Sequence, residues 1–326
     1  MSLPPATPYR APAWLPGGHL QTIWPLARTP RLPPYSRVRW ETPDDDFIHA
    51  DWLPLNDGAP LVVLFHGLEG DSRSHYARAL MRSLAAIGWN GVVPHFRGCS
   101  GRPNRLLRAY HSGDSAEIGW ILARIASRYR HGPVFAAGVS LGGNALLKWL
   151  GEQGAAAGRH IAGAAAICPP LDLTVSGMAL GQGFNRLYTH RFLRTLKAKA
   201  LDKIAVHKAA LDVDRIRRAH TLYAFDDAFT APVHGFDGVL DYWQRASSRP
   251  WLKHIATPTL LINARNDPFV PPAALPLPGD CSKAITQELP DGGGHVGFLA
   301  GAFPGTLDWL PERLIAHFAR IARRTT

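Results

Sequence analysis

Ser140 stands between two glycines, in Gly138-Val139-Ser140-Leu141-Gly142. The pentapeptide follows the apolar run "VFAAGV" and opens the helical pattern "GNALLKWLG". A serine hydroxyl at the tip of a strand–turn–helix is the arrangement of a nucleophile elbow. The turn lifts the hydroxyl above the sheet. Side chains two positions either way would collide, which favours glycine at 138 and 142. An ordinary β–α turn with a structural serine carries the same five residues, so the partners of Ser140 decide between the two readings.

A hydroxyl is a poor nucleophile without a base. In this arrangement the acid and the histidine follow the serine along the chain. Asp267 closes a predicted strand in "INARNDPFV", and His295 lies 28 residues later in the glycine-rich loop "DGGGHVGFL". Each has an ordinary reading by itself: Asp267 as a turn former before Pro268, His295 as one of fifteen histidines. In the required order with Ser140 they make a set of nucleophile, orienting acid and base. Asp291, close to His295 in sequence, is a second candidate for the orienting carboxylate. The oxyanion needs donors as well. His66-Gly67-Leu68 follows the run "LVVLF", and the backbone amides of Leu68 and Leu141 are the expected pair. One such donor stabilises a transition state by roughly 3 kcal/mol. The chemistry these residues specify is two-step acyl transfer through an acyl-enzyme.

These groups need strands that end at one rim. "LVVLF", "GVVPHF", "VFAAGV", "IAGAAAIC", "TLLINA" and "AITQEL" are short apolar runs of buried-strand type. Helical patterns alternate with them: "SHYARALMRSLAAIG", "SAEIGWILARIASRY", "GNALLKWLG" and the C-terminal "PERLIAHFARIARR". Such alternation predicts an α/β fold, a mostly parallel sheet with helices on both faces. Active groups then collect at the carboxyl ends of the strands. "SRVRWETPDDDFIHADWL" reads instead as two antiparallel strands around a turn. About eighty residues separate Cys168 from "TLLINA" and include the helical pattern of Leu193, Leu196, Ala200 and Ile204. We read this stretch as an inserted helical cap, because a structureless loop of that length is rare. The expected organisation is one domain over residues 1–326, with an extended proline-rich arm over about 1–35 and the cap over about 170–250. Leu180, Phe184, Leu187, Tyr188 and Phe192 are candidates for the acyl-binding wall, or equally for packing the cap onto the core.

Composition narrows the class. The 326 residues are 46% hydrophobic and 19% charged, a globular balance. Three cysteines without paired spacing, Cys99, Cys168 and Cys281, argue against a disulfide framework or structural zinc. Cys99, in "FRGCSG", reads as a small packing residue on a loop near the site. No leader pattern and no run of about 20 apolar residues stands out, which predicts a cytoplasmic protein. The formal charge is +11, and residues 186–218 alone hold ten Lys/Arg against three Asp. That segment reads first as a solvated helical face, and leaves open peripheral contact with an anionic membrane. No nucleic-acid module, P-loop or H-E-x-x-H motif is present, so no nucleic-acid partner or metal is expected.

The stretches "PAWLPGGHLQTIWP", "LFHGLEGDSRSHYARAL", "FRGCSG", "GVSLGGN", "FDDAFTAPVHGFDG", "DYWQRASS", "INARNDPFV" and "GGHVGF" together resemble the α/β-hydrolase superfamily. Within it they resemble the YheT-like/EMB8 group, related to ABHD-type lipid hydrolases. The resemblance implies a serine esterase without cofactor, with Ser140, Asp267 and His295 as triad and His66-Gly67-Leu68 shaping the oxyanion hole. It suggests small-molecule or lipid esters as substrates, acylglycerols among them. The leading reading is hydrolysis. Transfer to an alcohol or thiol acceptor is the alternative, and a non-catalytic binding protein on the same scaffold is third. A His-x4-Asp signature of some relatives, linked to acyl transfer, is matched by His207 and Asp212 and reads as chance.

Overall fold

The computed structural model describes residues 7–129, 132–277 and 279–325. The first six residues of the expected arm, Pro4 and Pro5 among them, lie outside the described residues. The strands are β1 (Ser36–Glu41), β2 (Phe47–Trp52), β3 (Leu61–Phe65), β4 (Asn90–Pro94), β5 (Val134–Val139), β6 (Gly163–Ile167), β7 (Thr259–Ile262) and β8 (Ile285–Glu288). They form one sheet in the order β1-β2-β4-β3-β5-β6-β7-β8. β1 and β2 pair antiparallel, β2 meets β4 antiparallel, and the six strands from β3 to β8 run parallel.

The helices that follow in chain order are α1 (Gly18–Ala27), α2 (His75–Ala86), α3 (Ser115–Arg128), α4 (Leu141–Gln153), α5 (Leu173–Leu180), α6 (Asn185–His207) and α7 (Val213–Arg218). Next, α8 (Leu222–Phe225) runs through a π-helical turn, Asp226–Thr230, into α9 (Ala231–Val233). Last come α10 (Val239–Ala246) and α11 (Trp309–Thr325).

Side chains alternate across a strand, and β3 shows the consequence. Leu61, Val63 and Phe65 pack with α3 and α4, while Val62 and Leu64 pack with α2 and α11. All five are fully buried, which is why the run has no polar position. Helices therefore cover both faces, and this is the α/β-hydrolase architecture. Helices α5 to α10 lie between β6 and β7 and bury an apolar cluster of their own, including Leu193, Ile204, Ile216, Phe229 and Trp243. No helix among the described residues is long and apolar enough to cross a membrane.

Two expectations change. The N-terminal arm is not extended throughout, because α1 forms at Gly18 and continues past Pro25. The charge of residues 186–218 is not all on a solvated face. Lys199 turns inward to Glu69 at 2.8 Å, and the buried Lys203 donates to the carbonyl oxygens of Leu106 and Arg108. Arg215 pairs with Asp227 at 2.6 Å.

Candidate active site

Ser140 joins β5 to α4 with φ 53° and ψ −119°, a conformation that strains any residue with a Cβ. The flanking glycines make the turn sterically feasible. A Cβ on Gly138 would lie 2.6 Å from the Gly142 carbonyl oxygen. One on Gly142 would lie 2.5 Å from that of His66 and 2.6 Å from that of Phe65. All three obstacles are backbone, so a side chain at either position has nowhere to go.

His295 sits in the loop after β8. Its Nε2 is 2.9 Å from Ser140 Oγ, and its Nδ1 is 2.8 Å from Asp267 Oδ2. Asp267 follows β7 and is buried. Its second oxygen accepts the Phe269 amide at 2.8 Å and the Val270 amide at 3.3 Å. The carboxylate therefore remains an acceptor toward Nδ1–H, which leaves Nε2 to accept from the serine hydroxyl. The Phe269 ring lies 4.3 Å from the imidazole, centroid to centroid, and shields it from water. Three residues distant in sequence thus form one hydrogen-bonded line. Asp291 takes no part: its carboxylate is fully exposed, and it faces Arg265 at 3.6 Å.

The loop that begins at His66 passes beside the serine. A Cβ on Gly67 would be 3.2 Å from the Ser140 Cβ. His66 is fully buried, and burial, then neighbouring His95, lower its pKa to about 3. Its Nε2 accepts the Phe96 amide at 3.0 Å, so Nδ1 carries the proton and donates to the Gly67 carbonyl at 2.8 Å. His66 is a neutral strut within the loop. The Gly67 amide donates to Tyr76 Oη at 2.9 Å, and the Glu69 amide to Tyr110 Oη at 2.8 Å. Between them, the Leu68 amide has no acceptor among the described residues, nor has that of Leu141 at the start of α4. Leu68, Leu141 and Ser140 line the same cavity.

That cavity has a volume of about 530 Å³ and lies between the sheet rim and the cap. Leu173, Leu180, Leu196, Leu222, Phe225 and Phe229 supply much of its apolar wall. Of the five wall candidates in the sequence, Leu180 alone faces it. Phe184 and Leu187 are exposed, while Tyr188 and Phe192 pack on Phe269. Helical spacing identified α6 but not which of its faces turns inward. Cys99 is buried, and burial pushes its thiol up to about 12. Lys199 Nζ, 3.9 Å from its sulfur, is a basic neighbour that spacing did not reveal. His207 ends α6 and lines the cavity, but Asp212 caps α7 by accepting the Arg215 amide, so the two are not a functional pair.

The sequence reading missed the residues that hold the histidine loop, which come from α1. Thr22 Oγ1 accepts the His295 amide at 2.9 Å. Gln21 Oε1 accepts the Gly293 amide at 2.7 Å and Asn266 Nδ2 at 2.9 Å. Asn266 Oδ1 accepts the Gly294 amide at 3.0 Å. The Gly17-Gly18 pair at the start of this helix was the available signal. A Cβ on Gly18 would sit 1.9 Å from the Asn266 carbonyl oxygen, so α1 docks only because that position is bare.

Comparison with known proteins places the chain in a family. A family model described as alpha/beta hydrolase fold matches residues 60–302. The Escherichia coli (strain K12) protein named "Putative esterase YheT" is 37% identical over 303 residues, covering 91% of this chain and 88% of that one. Human "Phospholipase ABHD3" is 28% identical, covering 96% of this chain and 78% of its own length. Among solved structures, the Pyrococcus furiosus esterase Pf2001 superposes with a TM-score of 0.56 at 16% identity, over 89% of this chain and 92% of that one, a likeness of fold.

Proposed function

The chain belongs to the α/β-hydrolase family and to its YheT-like group, and from that premise we propose that it hydrolyses carboxylic esters through an acyl-enzyme on Ser140. The observation that carries the reading is the Ser140–His295 contact of 2.9 Å, in line with Asp267. His295 Nε2 takes the hydroxyl proton as Oγ attacks the ester carbonyl. Asp267 holds the tautomer and stabilises the imidazolium that forms. The Leu68 and Leu141 amides receive the developing oxyanion, aided by the N-terminus of α4. The alcohol leaves with the proton from His295. Water, deprotonated by the same nitrogen, then attacks the acyl-enzyme and releases the acid.

The cavity suits a short to medium acyl chain, because its wall is apolar and its volume is at the scale of a small ligand. The esterase and phospholipase names of the relatives support an ester substrate and leave its alcohol open. A fluorophosphonate probe tests the nucleophile: it should label the native protein and not Ser140→Ala. Labelling that survives in Ser140→Ala removes the assignment. A chain-length series of p-nitrophenyl esters then reads the acyl preference.

A further inference from the structure

The stretch "FDDAFTAPVHGFDG" has no role in the chemistry above. It contains the π-helical turn Asp226–Thr230, a rare geometry that occurs disproportionately at functional sites. Its two adjacent carboxylates go opposite ways. Asp227 serves the cap scaffold: it accepts the Val239 amide at 3.1 Å, at the start of α10, and pairs with Arg215. Asp226 lines the cavity that holds Ser140. It accepts Trp243 Nε1 at 2.9 Å and Thr230 Oγ1 at 2.7 Å, and among the described residues no Lys, Arg or His pairs with it. Burial pushes this carboxyl up to about 6.

An anion without a counter-charge is costly in such a place. Several basic groups on the same cavity wall point to other partners: Arg97 to Asp44, Asp46 and Glu117, Arg105 to Glu41, Lys199 to Glu69, and Lys203 to two carbonyls; Arg102 also lines the wall and does not pair with Asp226. Around Asp226 the wall is aromatic, formed by Phe225, Phe229, Tyr242 and Trp243. A carboxylate on a wall of aromatic rings is the chemistry that binds an alkylammonium. The rings attract the cation through their quadrupoles, and a quaternary ammonium loses little hydration on entering.

We propose that Asp226 and this aromatic wall form a subsite for an ammonium group carried by the ester substrate. The proposal rests on Ser140 as the nucleophile of the shared cavity, and it names a class of alcohol for that reaction. Trp243 and Thr230 hold the carboxylate in place by donating one hydrogen bond to each of its oxygens.

The test compares butyrylcholine with 3,3-dimethylbutyl butyrate, an uncharged ester of the same shape. The native protein should favour the choline ester at least tenfold in kcat/KM. In Asp226→Asn that ratio should fall at least tenfold. Asparagine can keep both hydrogen bonds, with the Thr230 hydroxyl reversed, so a purely structural aspartate would leave the ratio unchanged. Calorimetry with tetramethylammonium on the Ser140→Ala protein reads the subsite without turnover, and should show binding that the added Asp226→Asn change abolishes. Hydrolysis of both butyrates at equal rates by the native protein, with no tetramethylammonium binding, overturns the subsite and leaves the esterase reading standing. Binding without hydrolysis of either ester does the reverse.

Discussion

Thr22 Oγ1 accepts the backbone amide of His295 at 2.9 Å and donates to the Gly18 carbonyl at 2.7 Å, tying the general base to the N-terminal helix across 273 positions of sequence. Thr22→Val keeps the shape and removes both bonds. The His295 amide is then left unsatisfied, and the imidazole loses a fixed point close to the reacting atoms. Displacements of this kind cost up to about a hundredfold in rate. We expect kcat to fall ten- to a hundredfold with KM little changed, and Thr22→Ser to recover most of it. Steady-state kinetics on a p-nitrophenyl ester are the check, and a kcat within twofold of native for the valine variant would refute the tie.

The elbow glycines make a separate claim about stability. Gly142→Ala would place a methyl against the backbone oxygens of His66 and Phe65, at 2.5 and 2.6 Å. Neither can move without pulling β3 out of register with its neighbours. Strain and overpacking of this kind cost about 1–3 kcal/mol or more. Gly158→Ala is the control, because its Cβ would meet nothing within 4 Å. Urea midpoints should drop markedly for the first and barely move for the second. Equal midpoints would mean that the turn has freedom the structure does not show.

Glu69 follows Leu68 with φ 54°, and its carboxylate accepts Lys199 Nζ and Tyr110 Oη, each at 2.8 Å. A cap helix is thereby fastened to the residue next to an oxyanion donor. Lys199→Met should lower kcat about tenfold. It should also weaken a trifluoromethyl ketone inhibitor by the same factor, because both report the oxyanion site. Lys199→Arg should restore much of each. A loss confined to KM would place Lys199 in substrate binding and not in loop positioning.

Much of the fold was legible because its signals are local. The run Leu61–Phe65 has no polar residue, since both faces of β3 are covered, and the Ser140 turn is written in five consecutive residues. Asp267 and His295 were found by chain order, a property of the topology. Contacts set by tertiary docking were hidden. Thr22 and Gln21 lie in a segment whose prolines suggested an arm, and only the position of α1 against Asn266 gives them a task. The inward face of α6 was equally unreadable. Leu187 and Leu196 are both apolar leucines on one helix, yet the first is exposed and the second lines the cavity. Asp226 and Asp227 are identical neighbours, separated in purpose by a single π turn.

Imidazoles lowered by burial dominate the response to mild acid. Burial lowers His66 and His234 to about 3, and His75 and His317 to about 4. Unfolded, each takes up a proton near pH 6.5. Between pH 6.5 and about 4 the unfolded chain therefore binds more protons at these sites, and stability falls as pH falls, by about 1.4 kcal/mol per unit for each histidine. Above pH 7 the contribution is flat. Asp226 and Glu117, both raised by burial, pull the other way over part of the window. With His111, also lowered by burial, the histidines outnumber these two carboxyls, so on balance the unfolded chain takes up protons. His317 offers the cleanest test. Its Nε2 donates to the Ala164 carbonyl at 3.1 Å, and its Nδ1 is buried. Glutamine at 317 supplies the same donor and does not titrate. Urea unfolding at pH 8, 7, 6 and 5 should show a plateau and then a decline for the native protein. His317→Gln should decline less steeply, by about one proton, and superimposable slopes would show that His317 is already free to charge in the folded state.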